Sequence, residues 1–207
     1  MNKVTLLIRS PLRVFRHLFV DRDYRRYYSA ESWERTWRDE FPDFSGAKED
    51  AHCGAMLQIL RRYDGGSLLD LGCGDGSLWK YYRPLSDSLL VGVDYSATAV
   101  KNANARALPN CRFHCADFRN YTPDNRFSAV VFNESIYYID DIAGAIRRAE
   151  SWLDDQGVLV LCMIDTLVTK RVWRRISAGR RTLQACRVRD LGTGRSRTIR
   201  VLAPSQP

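Results

Sequence analysis

No apolar run in these 207 residues approaches the roughly 18 to 20 needed to span a bilayer. Arg9, Pro11, Arg13 and Arg16 interrupt the apolar residues near the N-terminus, so nothing there resembles a secretory signal peptide. The six cysteines, at 53, 73, 111, 115, 162 and 186, include no C-x-x-C pair, and His17, His52 and His114 form no ligand cluster with them. A zinc site is therefore not expected, and no metal is. Cys111 and Cys115 share one face of a strand and read as small buried thiols. Reduced cysteines and the lack of a membrane segment lead us to expect a soluble, cytoplasmic protein.

What is present fits one globular unit. A content of 45% hydrophobic and 27% charged residues is ordinary, and the chain is long enough to bury a full core. Strands and helices alternate from Ser67 to Ile164, and the strands are nearly continuous apolar runs. That pattern predicts a parallel sheet covered on both faces. Strands are expected at 68–70, 89–93, 111–115, 128–132 and 157–164, with helices near 48–63, 76–83, 96–106, 140–153 and 167–178. Two further runs, 182–189 and 196–203, joined through Leu-Gly-Thr-Gly, predict a closing antiparallel hairpin.

The glycines supply the first chemical signal. Residues 68–76 read Leu-Leu-Asp-Leu-Gly-Cys-Gly-Asp-Gly, a strand ending at Asp70 that enters a turn with Gly72, Gly74 and Gly76 at alternate positions. Glycine accepts positive φ and lets backbone N–H groups approach a ligand closely. A dinucleotide fingerprint, G-x-G-x-x-G counted from Gly72, would need its third glycine at 77, where Ser77 stands. Asp94, closing the next strand twenty residues past Gly74, can accept from both hydroxyls of a ribose. Alone it could equally cap the helix starting near Ser96; with the glycine turn, the ribose role is favoured.

This D-x-G-x-G-x-G turn resembles the first motif of the class I S-adenosylmethionine (SAM) dependent methyltransferases, and the likeness runs in order over residues 66–164. It implies a Rossmann-like α/β fold with a seven-stranded, mostly parallel sheet, helices on both faces and a C-terminal antiparallel hairpin. It also implies SAM as cofactor and S-adenosylhomocysteine (SAH) as product. The implied cofactor residues are Asp70, Gly72, Cys73, Gly74 and Gly76 in the turn, Asp94 with Tyr95, Asp117 with Phe118, and Asn133. Asp117 would accept from the adenine amine, and the Phe118 N–H would meet a ring nitrogen.

In that family the residues after the fourth strand lie between cofactor and substrate. Here they read Asn133-Glu134-Ser135-Ile136-Tyr137-Tyr138. The run is not Asn-Pro-Pro-Tyr, so it departs from enzymes that methylate exocyclic amines of bases and of glutamine. It is more similar to small-molecule methyltransferases, including the nodulation enzymes that N-methylate a glucosamine unit. Methyl transfer needs an aligned nucleophile and exclusion of water, and a hydroxyl acceptor would also need a base. Glu134, Tyr137 and Tyr138 are the catalytic candidates, with His114 behind them. Glu134 could instead serve to bond a neighbouring loop.

The ends of the chain are read separately, with residues 1–47 as an N-terminal helical lid or extension and 48–207 as the SAM-dependent methyltransferase domain. Ile8, Leu12, Phe15 and Phe19 recur at helical spacing opposite Arg9, Arg13 and Arg16. Such a basic amphipathic helix could pack on the domain or a second copy, touch an anionic membrane surface, or belong to a lid. Tyr28, Trp33 and Trp37 follow, either as a water-excluding lid over the substrate or as core. Net charge is +5 over residues 1–30, +10 over 166–207 and −7 between them. The basic ends could draw an anionic or carrier-bound substrate. The plainer account is a solvated face, with Arg187 and Arg189 on one side of a strand and Arg197 across the hairpin. Nucleic acid is not expected, because the arginines lack interleaved aromatics.

The expected activity is methyl transfer from SAM to a small polar acceptor, an amine or a hydroxyl such as that of a sugar or natural-product intermediate, by a monomer or homodimer. A SAM-binding regulatory subunit without turnover is the alternative, and an NAD-binding protein a third.

Overall fold

A computed structural model describes residues 29–40, 51–63, 66–81, 89–191 and 194–205. The basic N-terminal helix, Tyr28, and the centre of the hairpin turn at 192–193 lie outside the described residues. Five α-helices are described: α1 (Ala30–Arg35), α2 (Ala51–Leu60), α3 (Ala97–Ala105), α4 (Ile142–Ser151) and α5 (Leu167–Ser177). Seven strands are described: β1 (Leu68–Leu71), β2 (Leu90–Asp94), β3 (Cys111–Cys115), β4 (Phe127–Asn133), β5 (Leu153–Ile164), β6 (Thr182–Arg189) and β7 (Ser196–Leu202).

The strands form one sheet in the order β3-β2-β1-β4-β5-β7-β6. β1 to β5 pair in parallel, and β7 enters antiparallel between β5 and β6. This is the expected Rossmann-like arrangement. Both faces are covered by helices, α4 and α5 on one side and α2 and α3 on the other. On one face Leu69, Leu71, Val130, Phe132, Leu159 and Leu161 pack against α4 and α5. α4 presents Ile142, Ala145, Ile146 and Ala149, the i, i+3, i+4, i+7 spacing of a single helical stripe. On the other face Ala129, Val131, Val158, Val160 and Ile199 pack against Met56, Leu57 and Leu60 of α2 and Val100 and Ala103 of α3. The strand order reverses between β1 and β4, which opens a crevice at the carboxyl ends of the parallel strands.

Four expectations need correction. The segment expected as a helix at 76–83 is a 3-10 turn over Ser77–Tyr81. It is tightened by the Trp79 N–H donating to Gly76 O at 3.0 Å and by the Trp79 indole, which turns back to Asp70. β5 begins at Leu153 rather than 157, because Phe127 pairs with Leu153 while Ala129 already pairs with Val158. The residues between bulge outward, and a Cβ on Gly157 would stand 2.9 Å from the Phe127 carbonyl. Cys115 is exposed and Cys111 half-buried, since β3 is the outermost of the described strands. Arg197 does not share a solvated face with Arg187 and Arg189. Its cross-strand partner is Val188, so it points to the opposite side of the hairpin, with the buried Ile199 and Val201.

Candidate active site

A cavity of about 890 Å³ follows the carboxyl ends of the strands. Its floor begins at the glycine turn. Gly72 sits at φ +80°, and a Cβ there would lie 2.5 Å from that of Ser135. Gly74 sits at φ +55°, and a Cβ there would lie 2.7 Å from the ring of Trp37. Both positions thus need glycine twice over, for backbone conformation and for space. Gly76, at φ +72°, packs against Phe113 and is not on the cavity wall.

Asp94 ties β2 to this turn. Its Oδ2 accepts from the Gly74 N–H at 3.0 Å and its Oδ1 from the Ser96 N–H at 2.9 Å. The capping alternative weighed from the sequence lies two residues on: the side chain that caps α3 is Ser96, whose Oγ accepts from the Ala99 N–H at 3.1 Å. Burial raises the Asp94 carboxyl above its ordinary range despite those bonds.

Asp70 is 1% exposed. Its Oδ2 accepts from the Trp79 indole N–H at 2.7 Å, whereas Oδ1 has no hydrogen-bond partner among the described residues. Burial pushes its carboxyl up to about 7, opposed by the Trp79 bond and reinforced by Asp94. The buried Oδ1 of Asn133 likewise has no such partner. Two buried acceptors facing one cavity call for donors from a ligand. Cys73 is buried, and burial, then Asp70 and Asp94, push its thiol well up. It stays a neutral part of the wall.

Tyr95 and Phe118 line the same end, and burial pushes the Tyr95 phenol up to about 12. The Asp117 carboxylate is not on the wall. It takes both ends of an ion pair with Arg119, whose Nε lies 3.0 and 2.8 Å from its two oxygens. That hydrogen-bonded pairing holds the carboxyl below its ordinary range.

The far end of the cavity is built on Glu134, a non-glycine residue at φ +58°. The Ser135 hydroxyl donates to Leu71 O at 2.6 Å and pins the loop to β1. Glu134 Oε2 accepts from the Tyr137 hydroxyl at 2.6 Å, and Oε1 lies 3.3 Å from Arg197 Nε. Tyr137 and Tyr138 are ring neighbours at 4.4 Å, and Trp33 meets Tyr138 edge-on at 5.1 Å. Trp33 and Trp37 therefore roof the cavity; neither is buried core. Glu34 holds that roof in place: it accepts from the Ser96 hydroxyl at 2.6 Å and the Thr98 N–H at 3.3 Å. His114 is exposed on β3 and is not part of the wall.

Sequence reasoning missed His52, Cys53 and Leu57 of α2, and it missed Arg197. His52 is 4% exposed, and burial, then the charge of Arg197, push it down to about 4, so it is neutral near pH 7. A signal for Arg197 was available. It alternates with Ile199 and Val201, which marks it as the polar member of a buried strand face.

The cavity joins a glycine turn, a ribose-ready carboxylate and two buried acceptors. The model of a methyltransferase domain family matches residues 34–196 of this chain. The chain belongs to the class I SAM-dependent methyltransferases. The family match takes in Glu34 and Trp37 and begins one residue after Trp33.

A trans-aconitate 2-methyltransferase of Enterobacter sp. (strain 638) is 32% identical over 126 residues, covering 59% of this chain and 48% of that protein. The chain thus spans about half the length of the curated relative it matches. Among solved structures, the N-methyltransferase NodS from Bradyrhizobium japonicum WM9 with SAH superposes at a TM-score of 0.70 and 17% identity, over 86% of this chain and 98% of that one. A DhpI–SAH complex gives 0.60 and 20%, over 86% and 96%. At these identities the two structures speak for the fold. The cofactor of the family is SAM. Among the described residues no helix is long and apolar enough to cross a membrane, and no cluster of His, Cys, Asp and Glu could hold a metal ion.

Proposed function

We propose that this methyltransferase transfers the methyl group of SAM to a small polar acceptor bound at the Glu134 end of the cavity. The observation that carries this reading is the continuity of one cavity from the glycine turn and Asp94 to Glu134, Tyr138 and Arg197, under the Trp33–Trp37 roof. SAM supplies an electrophilic methyl on a sulfonium, ready for in-line displacement.

The roles assigned to the chain follow from its chemistry. Asp94 accepts from the ribose hydroxyls while keeping its bonds to the turn. Asp70 and Asn133 accept from the α-ammonium, the charged group of the cofactor with three N–H donors. Phe118 and Tyr95 flank the adenine, and Asp117 reaches its amine by giving up part of its pairing with Arg119. Gly72, Cys73 and Gly74 supply backbone that can lie close to the cofactor, and Gly76 keeps the turn open by packing on Phe113. Glu134, with Tyr137 and Tyr138, orients the acceptor and takes its proton where it has one to lose. Trp33 and Trp37 exclude water and present aromatic faces to a cationic centre. The six cysteines are free, which supports a reducing compartment, the cytoplasm.

The test is calorimetric titration with SAH, followed by a screen of amines, amino sugars, hydroxyl compounds and carboxylic acids for SAH release from SAM. Micromolar binding with turnover on a small acceptor is expected. Binding without turnover on any acceptor would instead mark a SAM-binding regulatory subunit.

A further inference from the structure

Arg197 and the cofactor turn lie at opposite ends of one cavity. β7 is three strand spacings from β1, about 14 Å along the sheet. Because β7 is antiparallel, its first residues stand beside the last residues of β5: Arg197 pairs with Ile164. A strand that would otherwise deliver its carboxyl end elsewhere thus brings an arginine to the ligand edge of the sheet.

Among the described residues, three basic side chains line the cavity: Lys80, Arg106 and Arg197. Arg106 is committed to the glycine turn. Its guanidinium donates to the Asp75 carbonyl at 2.8 Å and pairs with the Asp75 carboxylate. Lys80 belongs to the 3-10 turn on the β1 side. Among the described residues, Arg197 is therefore the basic side chain at the acceptor end. Its side chain is 15% exposed, and its charge, after burial, helps keep His52 on the same cavity wall neutral. A guanidinium in such a place calls for an anionic partner, and Glu134 Oε1 answers at 3.3 Å, longer than a tight charge-assisted bond. The same Glu134 carboxylate is drawn the other way by the Tyr137 hydroxyl at 2.6 Å. A guanidinium presents five N–H donors in one plane and takes carboxylates on more than one edge.

We infer that Arg197 is the specificity-determining residue of the acceptor site, and that the acceptor carries a carboxylate which Arg197 grips in competition with Glu134. The inference rests on the methyltransferase reading of the cavity and names the substrate class for it. Glu134 and the acceptor carboxylate share one cation, so Glu134 limits how tightly the anion is held. The carboxylate anchors the acceptor at this end and leaves its reacting atom to be presented toward the glycine turn.

The experiment is calorimetric titration of the SAH-saturated protein with fumarate and with tricarballylate, using dimethyl fumarate as the uncharged control. SAH affinity is measured first, and its absence would overturn the cofactor reading itself. With SAH bound, we expect at least one of the two acids to bind and dimethyl fumarate to fail. R197M should weaken the acid by about tenfold or more while holding SAH as the parent does, and E134Q should tighten it severalfold. If neither acid binds up to about 10 mM, or the acid binds R197M as well as the parent, the carboxylate site is overturned while the cofactor reading stands. E134Q covers the case in which R197M does not fold: weakened acid binding in E134Q would also overturn the competition.

Discussion

Gly74 and Asp94 are joined across twenty residues by one hydrogen bond, from the Gly74 N–H to the Asp94 Oδ2 at 3.0 Å. The carboxylate proposed for the ribose is thus already oriented by the turn that faces the rest of the cofactor. Asp94→Ala should weaken SAH about a hundredfold, the loss of charged acceptor bonds to the ribose. Calorimetry checks this, and parent-like affinity would remove Asp94 from the ribose role.

Gly72→Ala places a Cβ 2.5 Å from the Ser135 Cβ at a residue with φ +80°. Strain and clash together should cost roughly 2 kcal/mol or more of unfolding free energy, with loss of SAH binding. Urea unfolding gives the first quantity and titration the second; a stable variant with intact affinity would contradict the geometry of the turn.

Asp70, pushed up to about 7 by burial, makes two linked predictions. Between its unfolded value near 4 and its folded value near 7, the folded state binds more protons than the unfolded one, so this group's contribution to stability falls as pH rises. Asp70→Asn should therefore raise the melting temperature of the ligand-free protein at pH 8 by about 4 °C or more. The same residue must ionise to accept from an ammonium. SAH affinity should rise as pH rises through about 7, and Asp70→Asn should abolish that rise. A flat pH profile in the parent would remove Asp70 from the ammonium site.

His52 acts in the opposite sense. It is pushed down to about 4, first by burial and then by the charge of Arg197. Below the free-imidazole value near 6.5 the unfolded chain takes up a proton that the folded one refuses until about 4, so stability is lost as pH falls across that window. Replacing it by Gln should make the ligand-free protein less sensitive to pH between about 6.5 and 4, as seen in parallel melting curves.

The roof hangs on Glu34, which accepts from Ser96 and Thr98 at the start of α3. No residue of α1 is buried. Glu34→Ala should accordingly leave the melting temperature nearly unchanged while SAH leaves roughly ten times faster, because roof opening is a local event. Stopped-flow displacement reads the rate, and an unchanged rate would separate the roof from cofactor retention.

Much of this arrangement was legible in the chain, for identifiable reasons. Strands β1, β2 and β4 are apolar runs closed by a polar residue, and that punctuation places the glycine turn, Asp94 and Asn133 at one sheet edge. The i, i+3, i+4 stripe of α4 was equally plain. What stayed hidden depends on side-chain partners that the sequence pattern does not announce. Arg106 and Asp75, or Arg197 and Glu134, meet only once the sheet has assembled. Asp117 belongs to a motif whose spacing says nothing about Arg119 two residues on, which claims its carboxylate. The 3-10 turn after Gly76 is set by the reach of the Trp79 indole back to Asp70, a contact that propensity does not contain.

The reversed direction of β7 separates two kinds of change. The groups proposed to hold the cofactor all precede residue 134, whereas Arg197 arrives on a closing hairpin more than sixty positions later. Shifting the hairpin by two residues along β5 would keep its buried face inward and set a different side chain in the place of Arg197. The fold can thus trade one acceptor for another at its C-terminal edge while the methyl donor's seat is left as it was.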